Sequence, residues 1–264
     1  MKKIGVVEHP KKQEAAAARA ELEQLAPDMG FEIVEPIGDQ ADIIIALGGD
    51  GTILRAAAIA IEIGCPLLGV NVGRLGYLAT IGPSKLGWAL EAIASNRLSI
   101  EERMTLTARI DGAAGIPDLI ALNEIAVEKA SPPKVIDVAV SVDSGEFATF
   151  TADGFLVATP TGSTAYSLSA GGPIVDPSLE AIILTPVSAH APLWRSIVVA
   201  PDRVISMKAI RGDAVLTFDG QSQDIPQGAT VVVGRNERSL KLVRLEDYDF
   251  FGRVRKRFNI EPNA

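Results

Sequence analysis

The 264-residue chain has a single cysteine, Cys65, and two histidines, His9 and His190. No intrachain disulfide can form, which fits a reducing compartment. A zinc site of ordinary His/Cys composition finds too few ligands. Long apolar runs are also missing, because Glu62 and Arg74 break the best of them short of a bilayer span. Before Glu8 stands only Ile4-Gly5-Val6-Val7, too short for the core of a signal peptide. Bases are outnumbered, with 33 acids against 25, a formal net charge of −8. Such a chain gains little from phosphate backbones or anionic lipid. The expectation is a cytoplasmic protein with neither nucleic acid nor membrane as partner, although a local basic pocket stays open.

What is present is a hydrophobic share of 47% with 22% charged residues, ordinary for a globular protein with a sizeable core. Over the first hundred residues, strand and helix patterns alternate. Ile4 to Val7, Phe31 to Val34, Ile43 to Leu47 and Leu67 to Val70 read as short strands, the last two like the buried runs of parallel sheets. Helices are expected from about Lys12 to Ala26, from Ile53 to Ile63 with Gly64 as a left-handed cap, and from Pro83 to Ser95. This pattern predicts an α/β N-terminal domain with an open, mostly parallel sheet.

After about Ile100 the rhythm changes. Thr105 to Ile110, Val135 to Val142, Phe147 to Phe150, Leu156 to Ala158, Ser196 to Val199, Val204 to Ala209, Ala214 to Phe218 and Thr230 to Val233 read as strands. Asp143-Ser144-Gly145 marks a hairpin turn. The expectation is an all-β, sandwich-like C-terminal domain over 101–245. Tyr248 to Phe258 mixes aromatics and arginines at helical spacing and reads as a closing helix.

Gly48-Gly49-Asp50-Gly51-Thr52 joins a buried strand directly to a helix. Its glycines allow unusual backbone angles and close approach of a ligand to the main chain. The helix start offers free N–H groups and a positive dipole end, a seat for pyrophosphate. Asp50, at the carboxyl end of the strand, could take a proton from a hydroxyl or hold a magnesium ion. The plain alternative is that Asp50 or Thr52 only caps the helix. No Gly-Lys dipeptide occurs, so no Walker-type loop is present. Leu54 stands where the third glycine of a dehydrogenase fingerprint would be.

The run Asp153 to Pro177 gathers Thr159, Thr161, Ser163, Thr164, Tyr166, Ser167 and Ser169 among glycines. Read as groups without a packing purpose, these hydroxyls suit a sugar, an amide and phosphate oxygens, with Tyr166 offering an aromatic face. The alternative is a solvated Ser/Thr turn. Asn123-Glu124 interrupts the apolar run Leu119 to Val127. Asn123 has the donor and acceptor that match an adenine edge, unless it forms an Asx turn.

In this order, Gly48 to Thr52, Gly73 to Leu78, Asn123-Glu124, Asp153-Gly154, Thr159 to Gly172 and Asp219-Gly220-Gln221 resemble the NAD kinase family over most of the chain. The glycine turn alone is shared with diacylglycerol kinases, sphingosine kinases and phosphofructokinases; the Thr159 to Gly172 run is far more specific. The resemblance implies transfer of the ATP γ-phosphoryl group to the 2′-hydroxyl of the adenosine ribose of NAD, with Mg²⁺. It implies a homo-oligomer, dimer or tetramer, and a C-terminal segment, 246–264, that returns to the first domain, 1–100. It makes Asp50 the catalytic base and places Gly48, Gly49, Gly51 and Arg74 at phosphate. Asp50, Gly51, Tyr77, Asn123, Glu124, Asp153, Thr161, Thr164, Ala165, Tyr166 and Ser188 would contact NAD, and His190 falls in the segment near its nicotinamide end.

One departure is that many relatives carry an arginine where this chain has Thr151. Arg74, Arg195 or an arginine of a neighbouring subunit could replace it. Two other functions compete, a lipid kinase on the same turn and a dinucleotide sensor without turnover. The hydroxyl-rich run counts against the first and Asp50 against the second.

Overall fold

The computed structural model describes residues 1–36, 41–73, 76–113, 115–131, 134–189, 194–245 and 249–260. The chain forms two compact units, Met1–Glu102 together with Leu240–Ala264, and Arg103–Ser239.

The N-terminal part runs β1 (Lys2–Glu8), α1 (Gln13–Leu25), β2 (Phe31–Val34), β3 (Ile43–Gly48), α2 (Asp50–Ile63), β4 (Leu67–Asn71), α3 (Leu86–Ala94) and β5 (Ser99–Arg103). Every residue of β3 is buried, as a central parallel strand covered on both faces requires. Ile43, Ile45 and Leu47 pack with Leu22 of α1 and Leu90 of α3. Burying such a side chain contributes about 1.5–3 kcal/mol. On β4, Leu68 and Val70 join the same core, whereas Gly69 faces Ile53 of α2. The period of two thus puts α2 on the opposite face of the sheet. Helix α2 ends at Gly64, with φ 76° and its N–H bonded to the Ala60 oxygen at 2.9 Å, the left-handed cap expected of glycine there.

Strand β1 pairs in parallel with β2 on one side and β3 on the other, and β3 pairs in parallel with β4. The chain therefore reverses its direction of travel across the sheet between β1 and β3. At such a switch point the carboxyl ends of the strands leave a crevice, where open α/β sheets bind ligands.

The second unit contains β6 (Leu106–Asp111), β7 (Leu119–Ala121), β8 (Glu124–Lys129), β9 (Ile136–Val142), β10 (Gly145–Ala152), β11 (Gly154–Ala158), α4 (Tyr166–Ser169), β12 (Ile182–Val187), β13 (Ile197–Val199), β14 (Ile205–Arg211), β15 (Ala214–Phe218), β16 (Gln221–Asp224) and β17 (Thr230–Arg235). They form sheets of order β10-β9-β14-β17-β6-β7 and β13-β12-β11-β8-β15-β16. Leu106, Val138 and Met207 of the first share one core with Val127, Val157 and Leu184 of the second. The rings of Phe150 and Phe155 meet at 4.9 Å between centroids. The unit is β-rich but not all-β, because Thr161–Thr164 forms a 3-10 turn that leads into α4.

The final strand, β18 (Leu240–Arg244), belongs to the first unit, which completes the order β2-β1-β3-β4-β18-β5. Leu242 lies opposite Leu67 in parallel register. The return therefore begins six residues earlier than the reading of 246 had it (246 − 240). Last comes α5 (Phe250–Phe258), capped by the Asp249 carboxylate, which accepts from the Gly252 N–H at 2.7 Å. Tyr248, where the closing helix was expected to start, lies outside the described residues.

Candidate active site

Gly48 closes β3, and Gly49 (φ −91°, ψ −174°) leads into α2. None of Gly48, Gly49 and Gly51 has a positive φ, so unusual backbone angles are not what the turn needs from them. It needs room. A Cβ on Gly48 would overlap the Thr52 side chain, whereas Gly49 and Gly51 face open space. Open space beside the first N–H groups of a helix lets a ligand come close to the main chain.

Asp50 does not cap its own helix, and neither does Thr52, since α2 has no side-chain cap bond. Its carboxylate instead accepts the Tyr77 N–H at 3.0 Å and the Leu78 N–H at 3.2 Å. Gly76 packs so close that a Cβ there would overlap both carboxylate oxygens. Each oxygen keeps a lone pair for a further donor. The Tyr77 ring, expected beside adenine, lies 6.4 Å from Phe250 of α5. Arg253 of α5 donates from Nη1 to the Gly76 carbonyl at 2.5 Å.

At the end of β1, the His9 N–H bonds to the Leu47 oxygen at 2.9 Å, and Arg55 of α2 donates to the Glu8 carbonyl at 3.1 Å. These bonds hold the loop after β1 against the turn after β3. Lys12 follows in that loop, and a Cβ on Gly73 would lie 2.8 Å from its ammonium. No ion pair engages Lys12 among the described residues. The sequence reading passed it over, because one lysine before a helix carries no signal until the strand order is known. Arg74 lies outside the described residues.

In the second unit, Asn123 immediately precedes β8, which Glu124 opens, and the pair is held by Asp219, whose carboxylate accepts the Leu122 and Asn123 N–H groups, each at 2.7 Å. Asp219 and Gly220 have φ 45° and 78° and turn β15 into β16, the sign pattern of a type I′ hairpin. Asn123 also accepts from the Thr159 N–H at 2.8 Å, and a Cβ on Gly162 would overlap the Asn123 main chain. The hydroxyl-rich turn is thus bolted to the Asn-Glu pair.

That finding corrects the reading of its hydroxyls as groups without a packing purpose. Thr159, Ser163 and Ser167 are fully buried. Thr159 donates to the Leu122 oxygen and accepts from Gly162, and Ser163 bonds both polar groups of the Val175 main chain. Buried backbone demands partners, and small hydroxyls supply them without bulk. Thr161 accepts a bond of 3.2 Å from the fully buried Arg103, and Thr164 donates to the Thr161 carbonyl at 3.3 Å.

Glu124 is 8% exposed. Burial, then the charge of Asp219, pushes its carboxyl up to about 8, against the pull of the Tyr166 N–H. At neutral pH it is an O–H donor rather than a carboxylate. Burial likewise raises Asp219.

Asp153, Tyr166 and Ser188 line one cavity of about 400 Å³, together with Glu128, Lys129 and Val187. Tyr166 donates to Glu128 at 2.7 Å, Glu128 also accepts from Thr217 at 2.5 Å, and Lys129 pairs with Asp153 at 2.5 Å. Glu128 and Lys129, adjacent at the end of β8, carry no sequence signal for this cavity, which takes shape only when β11 and β15 pair with that strand. His190 lies outside the described residues.

At the departure point, the Thr151 hydroxyl donates to Asp137 at 2.6 Å, and Arg211 grips the same carboxylate through Nε and Nη2 at 2.5 and 2.9 Å. These bonds, the guanidinium's first, hold Asp137 down at about 2. A guanidinium therefore does stand near Thr151, carried by Arg211. Arg195 is exposed and lies 4.9 Å over the Trp194 ring.

The chain matches the ATP-NAD kinase N-terminal domain over residues 8–98 and the ATP-NAD kinase C-terminal domain over 122–245. An NAD kinase of Heliobacterium modesticaldum is 44% identical over 223 residues, covering 83% of this chain and 78% of that protein. One from Leifsonia xyli subsp. xyli is 38% identical over 262 residues, covering 97% and 85%. Among solved structures, an NAD kinase from Archaeoglobus fulgidus in complex with ATP has a TM-score of 0.80 and 32% identity, covering 96% of this chain and 98% of that one.

Proposed function

The chain belongs to the ATP-NAD kinase family, and we infer that it transfers the γ-phosphoryl group of ATP to the 2′-hydroxyl of the adenosine ribose of NAD, giving NADP. The observation that carries the mechanism is the Asp50 carboxylate, held by two backbone N–H groups beside the start of α2. Asp50 accepts the proton of the 2′-hydroxyl as that oxygen bonds to the γ-phosphorus. The bond from the γ-phosphorus to the bridging oxygen breaks, and ADP leaves. The N–H groups of the Gly48-Gly49-Asp50-Gly51 turn, with the Lys12 ammonium, stabilise charge on the phosphates.

Among the described residues no three His, Cys, Asp or Glu side chains group as metal ligands. Mg²⁺ would arrive with the phosphates of ATP, and the Asp50 carboxylate, held at the turn by two N–H groups, is the side chain that would meet it there. The ion would neutralise charge on the transferring group.

Asn123, Glu124, Thr161, Thr164, Ala165 and Tyr166 bind the adenosine part, where the protonated Glu124 offers a donor to a ribose or ring acceptor. Asp153 and Ser188, which line one cavity with Tyr166, take the nicotinamide end. We read the chain as a cytoplasmic homo-oligomer. Its one buried thiol, Cys65, suits a reducing compartment, and no helix among the described residues is long and apolar enough to cross a membrane.

Purified protein given ATP, Mg²⁺ and NAD should produce NADP. Asp50→Asn keeps the size and removes the base, so turnover should fall about 100-fold or more while NAD binding is kept. An Asn variant working at the parent rate would remove Asp50 from the role. A phosphorylated lipid product, or NAD binding without turnover, would overturn the activity itself.

A further inference from the structure

We propose that Arg253, in the last helix, is a positioning residue for phosphoryl transfer that acts on Asp50 through a single peptide group. The Gly76 carbonyl and the Tyr77 N–H are opposite ends of that one planar unit. Arg253 Nη1 donates to the oxygen end at 2.5 Å, and the nitrogen end donates to Asp50 Oδ2 at 3.0 Å. Because the peptide is rigid, a grip on its oxygen sets the direction of its N–H. A guanidinium at the oxygen also polarises the group, which makes the N–H a stronger donor to the carboxylate.

Three observations give this relay its weight. Gly76 through Leu78 belongs to no strand or helix, so no ladder fixes its peptides. The Tyr77 and Leu78 N–H groups both turn to Asp50, and Gly76 lies against the same carboxylate. Arg253 itself stands on a fixed base. Its helix is capped by Asp249, and Phe250 is 8% exposed with its ring 6.4 Å from that of Tyr77. Glycine at 76 gives the peptide freedom to turn, and Arg253 takes that freedom away.

The inference rests on the reading of Asp50 as the base. Arg253→Met keeps the stem and removes the donor; Arg253→Gln keeps a donor without the charge and carries the test if the first variant does not fold. In Arg253→Met, kcat should fall roughly 10-fold while KM for NAD and ATP stays near the parent value, the mark of a misplaced reacting group. Amide hydrogen exchange at Tyr77 and Leu78 should speed up. Arg253→Gln should lie between parent and Arg253→Met in both readouts. Parent-like kcat, or lower kcat with unchanged exchange at Tyr77 and Leu78, overturns the relay. Asp50→Asn separates the two ideas. If it is inactive while the Arg253 variants work normally, only the relay fails. If it works at the parent rate, the base reading fails and takes the relay with it.

Discussion

Gly76→Ala is the sharpest test of how the carboxylate is held. Gly76 has no positive φ, so alanine meets no backbone strain and the whole effect comes from its methyl group. That methyl would overlap both oxygens of Asp50, and relieving the overlap requires a shift on the order of 1 Å. A shift of that size at a reacting group costs about 100-fold in rate, or roughly 2.7 kcal/mol in the barrier. The displaced carboxylate also gives up the Tyr77 and Leu78 N–H groups. Water replaces part of what is lost, which leaves a stability cost of about 1–3 kcal/mol. For a chain of this size, that lowers the melting temperature by roughly 2–10 °C. NADP formation can be followed by coupling it to an NADP-specific dehydrogenase, with melting measured on the same preparation. A Gly76→Ala enzyme with the parent kcat would show that the transfer does not need the carboxylate where the Tyr77 and Leu78 amides hold it.

Gly51→Ala should behave differently, because its Cβ meets nothing in the protein. Melting should stay near the parent value while KM for ATP rises several-fold, if the phosphates approach that main chain closely; an unchanged KM would place the phosphates elsewhere. The protonated Glu124 gives a pH signature. Its carboxyl is pushed up to about 8 in the folded chain, against about 4.3 unfolded. Between these values the unfolded chain loses a proton that the folded chain keeps, so this group's stabilisation fades as pH rises through about 8. Glu124→Gln should therefore gain melting temperature relative to the parent as pH rises from 5 to 9, whereas parallel curves would contradict the buried, neutral carboxyl.

The hydroxyl-rich run shows how far residue type alone carries. Within one short segment, Thr159, Ser163 and Ser167 turn inward to satisfy main chain, while Tyr166 reaches the cavity. Which hydroxyl does which is settled by burial, and burial depends on β8 and β12 lying against the turn. Strand β18 was missed for a related reason. Leu-Lys-Leu-Val-Arg is short, and its partner on β4 is remote in sequence. Asp219 could be matched to a motif, yet its work, holding the Asn123 N–H from 96 residues away, has no local trace.

By itself the sequence determined the alternation of strand and helix, the turn from β3 into α2, the left-handed cap at Gly64, and the residues that mark the family. All of these follow from periods of 2 and 3.6 and from backbone freedom within a few neighbours. Only the tertiary structure decided that the turn falls at the switch point beside β1, that Asp50 is held from 27 residues away, and that Arg253 reaches Gly76 across 177. Hydrogen bonds of that span are chosen by which elements the packed core brings together. The chain order of residue types does not record that choice.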